Sequence, residues 1–219
     1  MRFRWSQAAA VSAVVLATLS LASCITTQFE AETSIPAPLV ARIPIVVGVY
    51  FPPEFKAGVH EEKREGSQFA ISLGKAQTEG FMRLMNAMFE RVVPVASTAA
   101  GAATDPAIRG VLEPVLEEFA FITPSDSGTP LYAVSVRYRI NGYTPQGELF
   151  DSWTFTGYGT EASSGLPLTG RPALERATGL AMRDAGAKLA TELREQAVIR
   201  GLLPAEERLE SVEILPQVD

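Results

Sequence analysis

The pattern of apolar and polar positions divides the chain sharply. A run of small and apolar residues from Ala8 to Ala22 follows Arg2 and Arg4, and only after it do short segments with a structural period begin. The run is shorter than the roughly 20 apolar residues that a membrane-spanning helix requires. Its basic start and apolar centre have the form of an export signal.

Ile43 to Phe51 is β-branched and almost continuously apolar, which predicts a central strand stopped by Pro52-Pro53. Pro44 is tolerated because a missing donor does little harm at a strand's first residues. The charged stretch His60-Glu61-Glu62-Lys63-Arg64-Glu65 reads as a solvated face or turn, and Ser67 to Leu73 as a second strand. From Gly74 to Val92 the period becomes helical. Phe81, Leu84, Met85, Met88, Phe89 and Val92 mark one face, with Lys75, Gln77, Glu79, Arg83 and Glu90 on the other. A Met and Phe stripe can line a lipid or ligand groove, but core packing is the default because every helix of a domain buries such a face. Val92 to Val95 returns as a short strand, and the Ala and Gly stretch Ser97 to Ala103 is a loop.

Val111 to Phe121 alternates as a strand interrupted by Pro114, which places that proline on an edge or at a bulge. Leu131 to Ile140 and Leu149 to Tyr158 form a hairpin about Thr144-Pro145-Gln146-Gly147, with proline and glycine where a type I turn wants them. Trp153 and Phe155 share one face of the returning strand. The last element, Arg171 to Ile199, has Pro172 in its first turn and a stripe of Leu174, Ala177, Ala181, Ala185, Leu189 and Leu193. Small residues on that stripe permit close approach of helix to sheet. The order of elements predicts an α+β domain: a largely antiparallel sheet, one face solvated, with two amphipathic helices packed on the other.

The apolar run at the start ends in Leu21-Ala22-Ser23-Cys24. These residues resemble the lipobox of bacterial lipoproteins, in which signal peptidase II recognises Leu21, Ala22 and Ser23 and cuts before an acylated cysteine. The resemblance implies lipidation of Cys24, three acyl chains in a Gram-negative cell, and, with Ile25 rather than aspartate next, sorting to the outer membrane facing the periplasm. Cysteine usage agrees independently, since Cys24 is the chain's one cysteine and has no intramolecular disulfide partner.

The expected organisation is a signal peptide over 1–23, a lipid anchor and tether over 24–38, one α+β domain over 39–203, and an acidic tail over 204–219 broken by Pro204 and Pro216. The tether is inferred from the polar stretch after Cys24 and from Ile35-Pro36-Ala37-Pro38. Removal of the signal leaves 196 of 219 residues, enough for one domain with a real core. Without Arg2 and Arg4 the 19 basic residues fall to 17 against 25 acidic, a net charge of about -8. That balance excludes a nucleic-acid partner and leaves the lipid, not basic side chains, to supply membrane affinity.

Candidate chemistry is sparse. His60 is the one histidine, so a histidine-rich metal site is excluded and no metal is expected. A Ser-His-Asp scheme would hinge on that residue without a Gly-x-Ser-x-Gly motif beside it. Glycan hydrolysis needs two acids, and Glu117, Glu118, Asp151 and Glu161 are available. Glu117 and Glu118 are adjacent, so a regular strand would point them to opposite faces. Asp151 shares a face with Trp153, a pairing that could hold a sugar. Gly157-Tyr158-Gly159 lacks the spacing of a phosphate-cradling loop and reads as a strand end. Arg137 and Arg139 project from one hairpin face and could contact an anionic ligand, or simply be solvated.

The order of a strand, an amphipathic helix, the Asp105 to Phe121 stretch, a meander and a closing helix with Ala181-Met182-Arg183-Asp184-Ala185 resembles small periplasmic lipoproteins of the YajG type. It is also similar to auxiliary lipoproteins of lipid-transport ABC systems. The resemblance implies a non-enzymatic binding or assembly module with no cofactor and no catalytic residue, partnered by the membrane through Cys24 and by other envelope proteins. A cell-wall glycan enzyme using Asp151 with a second acid is the alternative from another class, and a purely structural lipoprotein is the third.

Overall fold

The computed structural model describes residues 25–32, 35–64, 66–163 and 170–199, with side chains from 26 to 193 in those ranges. The expected signal peptide, Cys24 and the acidic tail lie outside them. Eight strands and four helices follow in the order β1 (Ile25–Glu30), β2 (Ile43–Val49), α1 (Pro53–Lys56), β3 (Val59–Arg64), β4 (Ser67–Ser72), α2 (Gly74–Met88) and β5 (Phe89–Pro94). The second half runs β6 (Ile108–Ile122), α3 (Pro124–Ser127), β7 (Leu131–Tyr143), β8 (Leu149–Ala162) and α4 (Gly170–Ile199). The chain is an α+β protein, as expected.

The expected single sheet is two. Five strands in the order β5-β2-β6-β7-β8 form the main sheet, in which β2 pairs in parallel with β5 and β6 while the long β6-β7-β8 meander is antiparallel. A smaller sheet, β1-β4-β3, joins parallel β1 to β4 and antiparallel β3 to β4. One face of the meander is buried: Val134, Val136, Tyr138 and Ile140 of β7 lie beside Trp153 and Phe155 of β8. Both long helices pack on that face. The Phe81 ring of α2 stands 4.9 Å from Tyr138 and 6.3 Å from Phe155. The small sheet covers the same face beside them, with Phe69 of β4 edge-on to Phe121 of β6 at 4.8 Å.

Helix α4 seats on β8 through glycines. A Cβ at Gly157 would overlap the carbonyl oxygen of Ala181, and one at Gly159 that of Ala177, both of them backbone atoms. The small-residue stripe of α4 therefore meets a small-residue stripe of the strand, and the close approach expected from the alanines is realised. Gly157-Tyr158-Gly159, read as a strand end, lies inside β8, which continues to Ala162.

The segment expected as a tether is instead part of the fold. β1 begins at Ile25 and runs in register with β4, Ile25 opposite Ser67 and Glu30 opposite Ser72. Phe29 and Ala31 are buried, and Ile35 is only 1% exposed. Ile35 wedges between the two long helices where both present glycine: a Cβ at Gly80 would lie 2.9 Å from its Cδ1, and one at Gly186 2.7 Å from its Cγ2. Arg83 Nη1 donates to the Ile35 carbonyl at 2.9 Å. Composition hid this, because a six-residue strand of ITTQFE has too few apolar positions to show its period. Truncating the wedge leaves a cavity between helices, so Ile35→Ala is expected to cost about 3 kcal/mol, measured by the urea midpoint.

Two further boundaries differ from expectation. Helix α2 ends at Met88, and Phe89 is already extended at φ -110° and ψ 157°. Phe89 continues the four-residue spacing from Met85, so the periodicity did not mark the change from helix to strand. His60 to Arg64, read as a solvated face or turn, is the edge strand β3 with Glu61 and Lys63 exposed, and charge suits an edge because it discourages pairing with other chains.

Candidate functional site

Strand β6 creates the site because it outlasts its neighbour. β2 pairs with it only as far as Val49 opposite Leu112, where Tyr50 N–H donates to the Leu112 carbonyl at 2.9 Å. That bond shows Leu112 facing β2. Two residues on, Pro114 turns its missing donor toward the same side, now past the end of the β2 ladder. The expected edge position of Pro114 is confirmed. A bulge then follows between Leu116 and Glu118.

Past the end of the β2 ladder, β6 borders an open groove of about 270 Å³. Phe55 and Glu54 of α1, and Val59 and His60 of β3, form one wall, while Pro114 to Phe119 form the other. The His60 ring stands 4.9 Å from the Phe119 ring and its Nε2 lies 3.1 Å from Glu62 Oε2. Two residues past Phe119, Arg64 packs on Phe121. Its Nη2 donates to the Phe121 carbonyl at 2.7 Å, its guanidinium lies 4.1 Å over the Phe121 ring, and it pairs with Glu62 and Asp126.

Two of these acids are held below the usual carboxylate range. For Glu62 the hydrogen bond from Arg64 is the largest cause. At Asp126 burial works upward but is outweighed by hydrogen bonds from Thr123 and by the Arg64 charge. A depressed folded-state pKa stabilises above the unfolded value of about 4 and is lost as pH falls through the folded value. The melting temperature is therefore expected to drop on acidification below about pH 4, and by less in Arg64→Met, as scanning calorimetry would record.

The bulge also corrects the placing of the adjacent acids. Glu117 and Glu118 do not point to opposite faces: both reach Arg137, Glu118 by a short contact to Nη2 and Glu117 Oε2 at 3.7 Å from Nε. Glu117 Oε1 is also 2.9 Å from Arg139 Nη1. Arg137 and Arg139 do project from one face, as expected, but onto this pair of carboxylates, so an anionic ligand would have to displace them. Arg139 Nε is buried without a partner among the described residues.

The four acids considered for glycan chemistry do not converge. Asp151 and Glu161 stand ten residues apart on β8, on the order of 33 Å at strand rise, whereas the chemistry requires about 5–10 Å. Glu161 pairs with Arg176 at 2.8 Å. Asp151 does share its face with Trp153, but Trp153 is 7% exposed in the core and offers no open platform for a sugar. A smaller cleft of about 180 Å³ lies between Trp153 and the Leu189 to Leu193 turn of α4, with Glu192 as its one acid among the described residues. The Trp153 indole N–H is buried there without a partner among the described residues, a feature that strand alternation does not reveal. Among the described residues no group of three or more His, Cys, Asp or Glu could hold a metal ion, and no helix is long and apolar enough to cross a membrane.

No protein-family model matches the chain. No curated protein matches it either. Among solved structures it is similar to a Xanthomonas campestris protein of the DUF330 family, at 13% identity and TM-score 0.49 over 78% of this chain and 97% of that one. It is also similar to a hypothetical protein of Chlamydia trachomatis, at 11% identity and TM-score 0.41, covering 69% of this chain and 96% of that one. A minor lipoprotein of Acinetobacter baumannii superposes with TM-score 0.37 at 8% identity, over 71% of this chain and 95% of that one. At these identities and scores the likenesses assign no function.

Proposed function

We propose that the protein is a lipid-anchored envelope module, on the periplasmic face of the outer membrane, that acts by binding a partner and not by covalent chemistry. The observation that carries the binding reading is the groove along β6. Its apolar surface comes from Phe55, Val59, Leu116 and Phe119, and its acids Glu117 and Glu118 are engaged by arginines instead of being poised in a polar cleft. The address rests on Leu21-Ala22-Ser23-Cys24, which meets the requirement for small residues before an acylated cysteine. The role of an auxiliary lipoprotein in transport of lipid or other envelope components fits both features.

Recognition in this groove works through side chains. Pro114 removes a donor from the open edge of β6 and the bulge breaks its spacing, the two devices that keep an edge from accepting another strand. The test is a photo-crosslinking residue at Val59, 52% exposed in the groove wall, against one at Leu149, 57% exposed at the distant β7-β8 turn. Adducts in native membranes from the Val59 site, lost when Leu116 is replaced by glutamate, are the expected result. Equal adducts from both sites would contradict a groove that binds.

A further inference from the structure

The sheet's solvent face is graded from one end to the other, and its apolar end is the end at which β1 starts, one residue after Cys24. Strand register gives the rows. Leu131 lies opposite Ala162, and the next row is Ile122, Ala133 and Thr160, followed by Ala120, Ser135 and Tyr158. Charge begins with the fourth row, Glu118, Arg137 and Thr156. In these three rows Ile122 is 47% exposed, Leu131 43% and Tyr158 62%, with the Lys188 ammonium 4.9 Å over the Tyr158 ring.

The start of β1 lies at the same end of the sheet, in the layer that covers its other face. Ile25 is opposite Ser67, Ser67 is opposite Arg64, and Arg64 donates to the carbonyl of Phe121, the residue before Ile122. Two strand spacings bring Arg64 within about 10 Å of Ile25. Cys24 directly precedes Ile25 in the chain, about 3.8 Å away between Cα atoms across one peptide.

We infer that Ile122, Leu131 and Tyr158 form a membrane-contact surface that seats the domain on the bilayer holding its own lipid; this rests on the reading of Cys24 as the acylated residue. Exposed apolar and tyrosine side chains suit the headgroup boundary, where an apolar body is buried and a polar tip stays wet. A chain with net charge of about -8 gains nothing from anionic headgroups, so apolar contact is the available attraction. Seated this way, the β6-β7 connection with α3 lies at the membrane, and the β7-β8 turn at Gly147 points away from it.

The test uses the mature acylated protein in vesicles of phosphatidylethanolamine and phosphatidylglycerol doped with spin-labelled phosphatidylcholine. Acylation consumes the thiol of Cys24, so an environment-sensitive fluorophore on Ile122→Cys, Leu131→Cys or Leu149→Cys reports one site each. Quenching at the first two sites about threefold stronger than at Leu149→Cys is expected. Equal quenching in a protein whose mass shows the acyl chains overturns the seated orientation and leaves the anchor standing. A mass without acyl chains overturns the anchor and this inference with it. Because the substituted positions are exposed, an unchanged circular dichroism spectrum certifies the fold in each variant.

Discussion

Gly157→Val is expected to destabilise the domain by about 3 kcal/mol or more, the upper end of what overpacking costs. The Cβ of any residue at 157 would meet the Ala181 carbonyl oxygen, the Ala185 N–H and the Ala185 Cβ. Two of those atoms are backbone, so no rotamer change relieves the overlap, and α4 has to lift from the sheet. Lifting it exposes the apolar stripe from Leu174 to Leu193, every member of which is buried. Against a total stability of about 5–15 kcal/mol for a domain, such a loss is large. Gly159→Val should behave alike, because its Cβ would meet the Ala177 carbonyl. Adding Ala185→Gly to Gly157→Val should not restore the urea midpoint, since the backbone overlap remains. Full recovery would mean that side chains alone set the distance between helix and strand.

The second large effect is on location. With Cys24→Ala the chain is expected to lose its acyl chains and also to keep residues 1–23, because the enzyme of the lipobox pathway cuts only before an acylated cysteine. Residues 25–219 exported behind a conventional cleavable signal should instead appear in the soluble periplasmic fraction. Each buried methylene contributes about 0.8 kcal/mol to membrane affinity, and a single chain holds only reversibly. Removing all chains therefore releases the protein, even with Ile122, Leu131 and Tyr158 touching the bilayer, since three exposed side chains bury far less apolar surface than acyl chains do. The partition is read by fractionation and immunoblotting.

Much of this fold is legible from alternation and period. The β7-β8 hairpin turns where Pro145 and Gly147 place it, with Gly147 at φ +85° and its N–H donating to the Thr144 carbonyl at 2.9 Å. Helix α4 begins one residue before Arg171, and its alanine stripe faces the sheet. What escapes the sequence is non-local. β1 looks like a linker because it packs on β4 and α4, which are distant in the chain. β3 looks like a turn because His60, Glu62 and Arg64 are satisfied by one another and by residues some sixty positions away, including Asp126.

The candidate site follows the same division. The edge position of Pro114 is readable, because a missing N–H has only a few places to go in a sheet. The bulge after it is not, and that one inserted residue turns Glu117 and Glu118 from opposite faces to a common arginine. The groove likewise depends on where β2 stops relative to β6, a register that no local pattern records.

The most direct test of the central claim is the intact mass of the protein extracted in detergent from its native membranes. The lipid-anchor account predicts a chain that begins at Cys24 and carries the added mass of a diacylglyceryl group and an amide-linked acyl chain. A full-length chain with Met1 retained, or a chain trimmed near residue 24 without lipid, would contradict it and return the protein to the class of signal-anchored or secreted domains.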